Sequence, residues 1–177
     1  MHRLFVAIRP PAEIRRILLD SMGGVPGARF QSDEQLHLTL AFIGAVDRHR
    51  AEDAAAALGA VHHPRFELSL RGGGSFDRRG RIDTVWAGIA SSDPLKTLQA
   101  KVARALDSAG VPPERRAFVP HITVARLGAG TGPLEPLLAR LAALSSPAFT
   151  VEDFRLYESH LGHEGSVYEV AEQYPLA

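Results

Sequence analysis

The nine residues LHLTLAFIG at positions 36–44 decide how the rest of the chain is read. Apolar and polar side chains alternate along them, as they do on a half-buried β-strand whose successive residues leave opposite faces. On such a strand His37 and Thr39 share one face, while Leu36, Leu38, Leu40 and Phe42 line the other. The same four-residue pattern returns as His121-Ile122-Thr123-Val124 inside FVPHITVARLG, residues 118–128. There His121 and Thr123 share a face opposite Ile122 and Val124. A polar His/Thr pair over an apolar face, presented twice and separated by a little under half the chain, points to two matched halves building one cleft.

Outward from these strands, the chain divides into short alternating segments. RLFVAIR (3–9) reads as a first strand ended by Pro10-Pro11, and AEIRRILLDSM (12–22) as a helix with Ile14, Ile17 and Leu18 on one face. ARFQ (28–31) is an extended lead into the first His/Thr strand, which Gly44 is expected to end, and the alanine-rich stretch 48–61 is a helix. FELSLR (66–71) is a strand, and Gly72-Gly73-Gly74 marks a bulge or a close backbone approach. FDRRGR (76–81) reads as a hairpin loop before the strand IDTVWAGIA (82–90). In the helix 92–110, Ser92 or Asp93 caps the start and Leu95, Leu98, Val102 and Leu106 form the buried stripe. A helix over 134–144, a strand over 148–161 kinked near Glu152-Asp153, and a last strand over 166–174 complete the order. Strands that meet hairpin partners as often as crossover helices imply an α+β fold with mainly antiparallel sheets.

Composition narrows the function. A length of 177 residues fits one domain, 1–177, or two small lobes sharing a core. A formal net charge of zero supplies no global field for a nucleic acid, so an anionic ligand must be held by local groups. The absence of cysteine excludes disulfides, thiolate metal sites and cysteine nucleophiles, and fits a reducing cytoplasm. No apolar run is long enough for a signal peptide or a membrane span.

Two converging imidazoles can divide acid and base roles, because histidine alone titrates near neutral pH without perturbation. A threonine two residues along places a hydroxyl beside each ring, where it can donate to a non-bridging phosphoryl oxygen. That ensemble suits in-line attack on a phosphodiester, and it requires neither metal nor cofactor. A single His-x-Thr on a strand means little, but two copies from separate parts of the chain are hard to obtain from packing alone.

On RLFVAI, LHLTLAFIG, IDTVWAGI, PHITVAR and the tail FRLYESHLGHEGSVYEV, the sequence resembles the two-histidine phosphoesterases, and among them the bacterial and archaeal 2′-5′ RNA ligase family, also described as RNA 2′,3′-cyclic phosphodiesterases. The resemblance covers essentially the whole chain. It implies a bilobal α+β fold of two mainly antiparallel sheets with flanking helices, each of two pseudo-symmetric lobes lending one His-x-Thr strand to a central groove. It further implies hydrolysis of a terminal 2′,3′-cyclic phosphate to a 2′-phosphomonoester, with latent and reversible 2′-5′ joining. In that scheme His37 is the proton donor, His121 the proton acceptor, and Thr39, Thr123 and Arg126 hold the phosphate. The implied partner is an RNA 3′ end bearing the cyclic phosphate, bound by a cytoplasmic monomer. Alternatives are action on small cyclic phosphates or 2′-5′ oligonucleotides, and a module that binds nucleotides without turnover.

Other residues are weighed on chemistry. Strict alternation puts Arg126 on the face away from His121, so it reaches the groove only through a twist, a bulge or a side chain that curls round. Phe42 and Phe76 are candidates for stacking on the terminal base, although Phe42 shares a face with Leu38 and Leu40 and reads first as core. Arg78, Arg79 and Arg81 in the hairpin, and Arg115 and Arg116 before the second motif, are candidates for the upstream backbone. Tyr157 and Ser159 match the tail of the resembled family, and the resemblance implies that they line the groove, with support of the fold as the equal alternative. His160 and His163 lack the company of a metal site, and His62-His63 reads as solvated surface.

Overall fold

The computed structural model describes Met1–Ala177. Ten strands and four helices follow in chain order: β1 (His2–Ile8), α1 (Ala12–Asp20), β2 (Arg29–Phe30), β3 (Leu38–Val46), α2 (Arg48–Leu58), β4 (Phe66–Leu68), β5 (Leu70–Arg78), β6 (Arg81–Ile89), α3 (Asp93–Ser108), β7 (His121–Arg126), α4 (Glu135–Ala142), β8 (Phe149–Val151), β9 (Asp153–Gly162) and β10 (Gly165–Pro175). A single 3₁₀ turn, Asp33–Gln35, precedes β3. Every strand pairing is antiparallel, and the class is α+β as expected.

Eight strands form one sheet: seven lie on the path β10-β9-β1-β3-β7-β6-β5, and β2 is added beside β7. The path narrows to one residue pair at its middle, Leu38↔Ile122, where β3 meets β7. Each of these residues directly follows a motif histidine, so the narrowest point of the sheet sets the two histidines next to each other. Beyond it the half-sheets part. The freed edge of β3 is covered by Gln99 of α3, whose amide donates to the Leu40 carbonyl at 3.3 Å, and by Glu114, whose backbone N–H donates to the Phe42 carbonyl at 2.7 Å. The freed edge of β7 takes β2 and the Gln31 N–H. A separate two-stranded sheet, β4 with β8, ties the halves together with Glu67 opposite Thr150.

The core lies behind the sheet. Leu4, Val6 and Ile8 of β1 point into it with Ile122 and Val124 of β7, and α1, α2, α3 and α4 cover them. On α3 the expected stripe of Leu95, Leu98, Val102 and Leu106 is buried, each side chain contributing about 1.5–3 kcal/mol relative to exposure. Ser92 caps that helix by accepting from the Leu95 N–H at 3.2 Å. The opposite face of β1 and β9 carries a small aromatic cluster, Phe5, Ala7 and Tyr157, with Phe42 and Tyr168 against it.

Several boundaries differ from the sequence reading, each for a reason of pairing. β3 runs through Gly44 to Val46 because β1 stays paired with it as far as His2↔Val46. FELSLR is not one strand: it breaks at Ser69, where the chain leaves β8 to pair with β6. The expected strand 148–161 breaks in the same way at Glu152, and the anticipated kink is a change of sheet. The glycine triplet lies inside β5 as a bulge, with Leu70↔Ile89 followed by Gly73↔Ala87. A Cβ on Gly74 would fall 2.5 Å from the Trp86 ring, so the close approach expected there is present. The loop 76–81 is only a two-residue turn, Arg79-Gly80, because β5 and β6 stay paired to Arg78↔Arg81.

Candidate functional site

The groove between the parted half-sheets has a volume of about 1180 Å³ and is lined by His37, Thr39, His121, Thr123 and Arg126 together. His37 stands just before β3 and His121 is the first residue of β7. Each ring is tied down in the same way. The Nδ1 of His37 lies 2.7 Å from the Gln35 carbonyl oxygen, and the Nδ1 of His121 lies 2.6 Å from the Val119 carbonyl oxygen. A carbonyl only accepts, so in both rings Nδ1 carries the hydrogen, and when the ring is neutral Nε2 keeps its lone pair. In its neutral form each imidazole thus offers a basic Nε2 to a ligand.

Their electrostatics agree with a shared site. Burial pushes the His37 pKa down from 6.5 to about 4, against the upward pull of the Gln35 carbonyl, and the charges of His121, Arg126 and Arg9 lower it further. Burial also lowers His121, opposed by the Val119 carbonyl and assisted by Arg126 and Arg116. Arg126 acts on both rings, and a positive charge that does so is placed to meet an anion held between them.

A β-bulge resolves the difficulty with Arg126. Val85 pairs with Ala125 and the next residue, Trp86, with Thr123, so Val124 is an extra residue in β7. Val124 and Ala125 are both buried in the core, and alternation resumes one residue out of step. Arg126 therefore emerges on the groove side with Thr123. β3 carries the same device at the same offset from its motif: Val6 pairs with Ala41 and Ala7 with Thr39, leaving Leu40 extra. Leu40 and Ala41 are buried, and Phe42 turns into the groove. The core reading of Phe42 is corrected by that bulge. Phe42 and Arg126 occupy equivalent places in the two halves. The Arg3 guanidinium sits over the Phe42 ring, 5.3 Å from its centroid.

Aromatic rings flank each histidine. Phe5 packs 4.8 Å from His37 and Tyr168 5.2 Å from it, edge-on. Phe76 meets His121 edge-on at 4.8 Å and also lines the groove, as its candidacy required. Ser159 lines the groove, whereas Tyr157 is buried beneath Phe5, stacked at 5.1 Å, and supports the wall from behind. Arg78, Arg115 and Arg116 reach the groove, but Arg79 and Arg81 line an adjoining depression. His62 is exposed as read, but His63 is 5% exposed, packed edge-on against Phe66 and tied through Nδ1 to the Pro64 carbonyl, because the chain end folds over it. No three histidine or acidic side chains stand together as a metal site would require. No helix is long and apolar enough to cross a membrane.

The sequence reading missed the support behind His37. Arg9 donates to the carbonyls of Asp33 at 2.6 Å and Leu36 at 2.9 Å, clamping the 3₁₀ turn that carries the Gln35 carbonyl. Asp33 is held in turn by Arg15 at 2.8 Å, and the Gln35 side chain donates to the Ser166 carbonyl at 2.9 Å. The capping pattern Ser32-x-x-Gln35 was the one local signal of this turn.

Comparison with known proteins agrees with the geometry. The family model described as the 2′-5′ RNA ligase superfamily matches residues 10–163. The RNA 2′,3′-cyclic phosphodiesterase of Aeropyrum pernix is 36% identical over 149 residues, which is 82% of this chain and 84% of that one. The protein of the same description from Geobacillus stearothermophilus is 32% identical over 97% of this chain, which spans only 56% of that longer protein. Among solved structures, Escherichia coli LigT complexed with 3′-AMP superposes with a TM-score of 0.79 at 27% identity, covering 99% of this chain and 98% of that one. This chain belongs to the 2′-5′ RNA ligase superfamily.

Proposed function

We infer that the protein is an RNA 2′,3′-cyclic phosphodiesterase that opens a terminal cyclic phosphate to a 2′-phosphomonoester. The observation that carries this reading is the pair of imidazoles, each tethered through Nδ1, presenting Nε2 to one groove with two threonines and Arg126. The names of the relatives support it, as does the 3′-AMP held by the related LigT. We further propose that residues 1–177 form one domain of two pseudo-symmetric halves, each supplying one histidine, and that it works as a cytoplasmic monomer.

In this mechanism Thr39 and Thr123 donate to the non-bridging oxygens of the cyclic phosphate, and Arg126 offsets the charge that builds on them. His121 takes a proton from water as its oxygen bonds to phosphorus, and the bond from phosphorus to O3′ breaks in line. His37 gives its proton to O3′, leaving a 3′-hydroxyl and a 2′-phosphate. Negative charge brought by the substrate opposes the fields of His121 and Arg126 and lets His37 take up the proton it must give. Joining to a 5′-hydroxyl is the same path run backwards with the roles exchanged, and water at its bulk concentration favours hydrolysis.

The test is to incubate the protein, in excess EDTA, with an RNA ending in 2′,3′-cyclic phosphate. A product bearing 2′-phosphate and a 3′-hydroxyl is expected. A 3′-phosphate, or activity that appears only on adding a divalent ion, would contradict the mechanism.

A further inference from the structure

Resting on the phosphodiesterase reading, we propose that the tip of the β5–β6 hairpin docks the RNA strand upstream of the reacting end, its backbone phosphates held by Arg78, Arg79 and Arg81. Four observations meet there. First, Arg78 lines both the groove and a second depression of about 550 Å³, whose other walls are Arg79, Arg81, Asp83 and Leu127. The depression therefore continues the groove beyond its rim. Second, Arg78 and Arg81 are directly paired across the two strands, an arrangement of like charges that weakens a hairpin. Third, Arg79 takes a left-handed φ of 53° in the two-residue turn, a place favouring Asn, Asp or Gly. Fourth, none of these three guanidinium groups has a carboxylate within ion-pair distance, and neither does Arg126.

Local stability argues against each of these choices, yet they recur in four consecutive residues of a chain with zero net charge. An anionic strand offsets the repulsion between Arg78 and Arg81 and gives all three guanidinium groups a partner. The path is continuous: Arg126 pairs across β7 and β6 with Thr84, two residues from Ile82 and three from Arg81, and Phe76 on β5 touches His121. Asp77 and Asp83 are the acidic residues of this hairpin, and the Asp83 carboxylate accepts the Thr84 hydroxyl at 3.1 Å. A strand whose terminal phosphate sits at Arg126 thus meets the hairpin arginines as it leaves the groove, and a mononucleotide does not reach them.

The double variant Arg79→Gly/Arg81→Gln tests this. Neither residue lines the groove, and glycine suits the left-handed turn, so the fold is preserved. Turnover is compared for a nucleoside 2′,3′-cyclic phosphate and for a short oligoribonucleotide with the same end. The proposal expects unchanged kinetics on the mononucleotide and a KM for the oligomer raised about tenfold. It also expects the salt dependence of oligomer affinity to flatten by about 1.4 in log–log slope, for two lost phosphate contacts on a single strand. Fluorescence anisotropy with a labelled oligomer ending in 2′-phosphate reads the same loss without turnover. If the variant binds and cleaves the oligomer as the wild type does, or loses both substrates equally, the docking site is wrong. A wild type that turns over neither substrate would overturn the phosphodiesterase reading, while the anisotropy would still decide the docking.

Discussion

The two histidines occupy matched positions, but their surroundings are built differently. Behind His37 the Gln35 carbonyl sits in a 3₁₀ turn clamped by Arg9, Arg15 and Asp33 and tied to β10 through Ser166. Phe5 and Tyr168 close over the ring. Behind His121 the Val119 carbonyl belongs to an irregular segment, residues 112–120, and Val119 itself is 41% exposed. That segment is anchored to the first half by one backbone bond, from Glu114 to Phe42, and carries an Arg116–Glu114 ion pair. One motif therefore yields an imidazole held on a clamped turn on one side and, on the other, a less deeply buried imidazole beside an irregular segment. The division suits a buried donor to the leaving oxygen and a base that must meet water. What distinguishes the halves is their support, not their motif.

The sharpest way to break this comparison is to remove each histidine. His37→Ala and His121→Ala should each lower kcat by about 10²–10⁴-fold in steady-state hydrolysis, and the double variant should cost little more than either. Additive losses would mean that the rings do not act on one phosphorus. Next in size is Arg126→Ala, expected to cost about 10²–10³-fold in kcat. Its counterpart Phe42→Ala should raise KM about tenfold with kcat retained, if it stacks on a base. Because the Arg126 charge holds both histidines down, its removal raises both pKa values, and the bell in kcat/KM should move to higher pH. In the unaltered protein that bell should be centred on the acid side of 6.5.

Stability offers a separate test of how deeply His37 is buried. Its folded pKa of about 4 lies below the ordinary 6.5, so the unfolded chain takes up the proton first as pH falls. Stability present above pH 6.5 should decline down to about pH 4, by on the order of 3 kcal/mol relative to His37→Asn in denaturant titrations. A parallel pH dependence in the two proteins would place His37 in water. The smallest effect is expected from Arg9→Met, which removes the clamp without touching the ring. Its kcat should fall about tenfold, below the cost of a full ångström of misplacement, with KM unchanged. The limb of the pH profile set by His37 should also move upward, and Arg9→Lys should recover most of the loss. A purely structural Arg9 would leave that profile in place.

Much of this was legible in the residues, and the limits have a physical cause. His37, Thr39, His121 and Thr123 could be put on common faces because alternation is local and both motifs sit within it. The cap and stripe of α3 were readable for the same reason. The bulges after each threonine were not, since they depend on register against β1 and β6. A trace of them exists in Leu40-Ala41 and Val124-Ala125, consecutive apolar pairs that interrupt alternation at the same offset from each motif. The Arg9 clamp joins residues 24 and 27 positions apart and has no local signature. The sheet changes at Ser69 and Glu152, and the burial of His63 by the chain end, are likewise decided by partners distant in sequence.

Histidine side-chain ¹⁵N NMR, recorded while a nucleoside 2′-phosphate is titrated in, asks most directly whether two imidazoles hold one phosphate. Free protein should show both rings protonated at Nδ1, and both Nε2 signals should then shift along a single binding curve with one Kd. Signals that move with different Kd values, or one ring that stays silent while the other responds, would contradict the shared site.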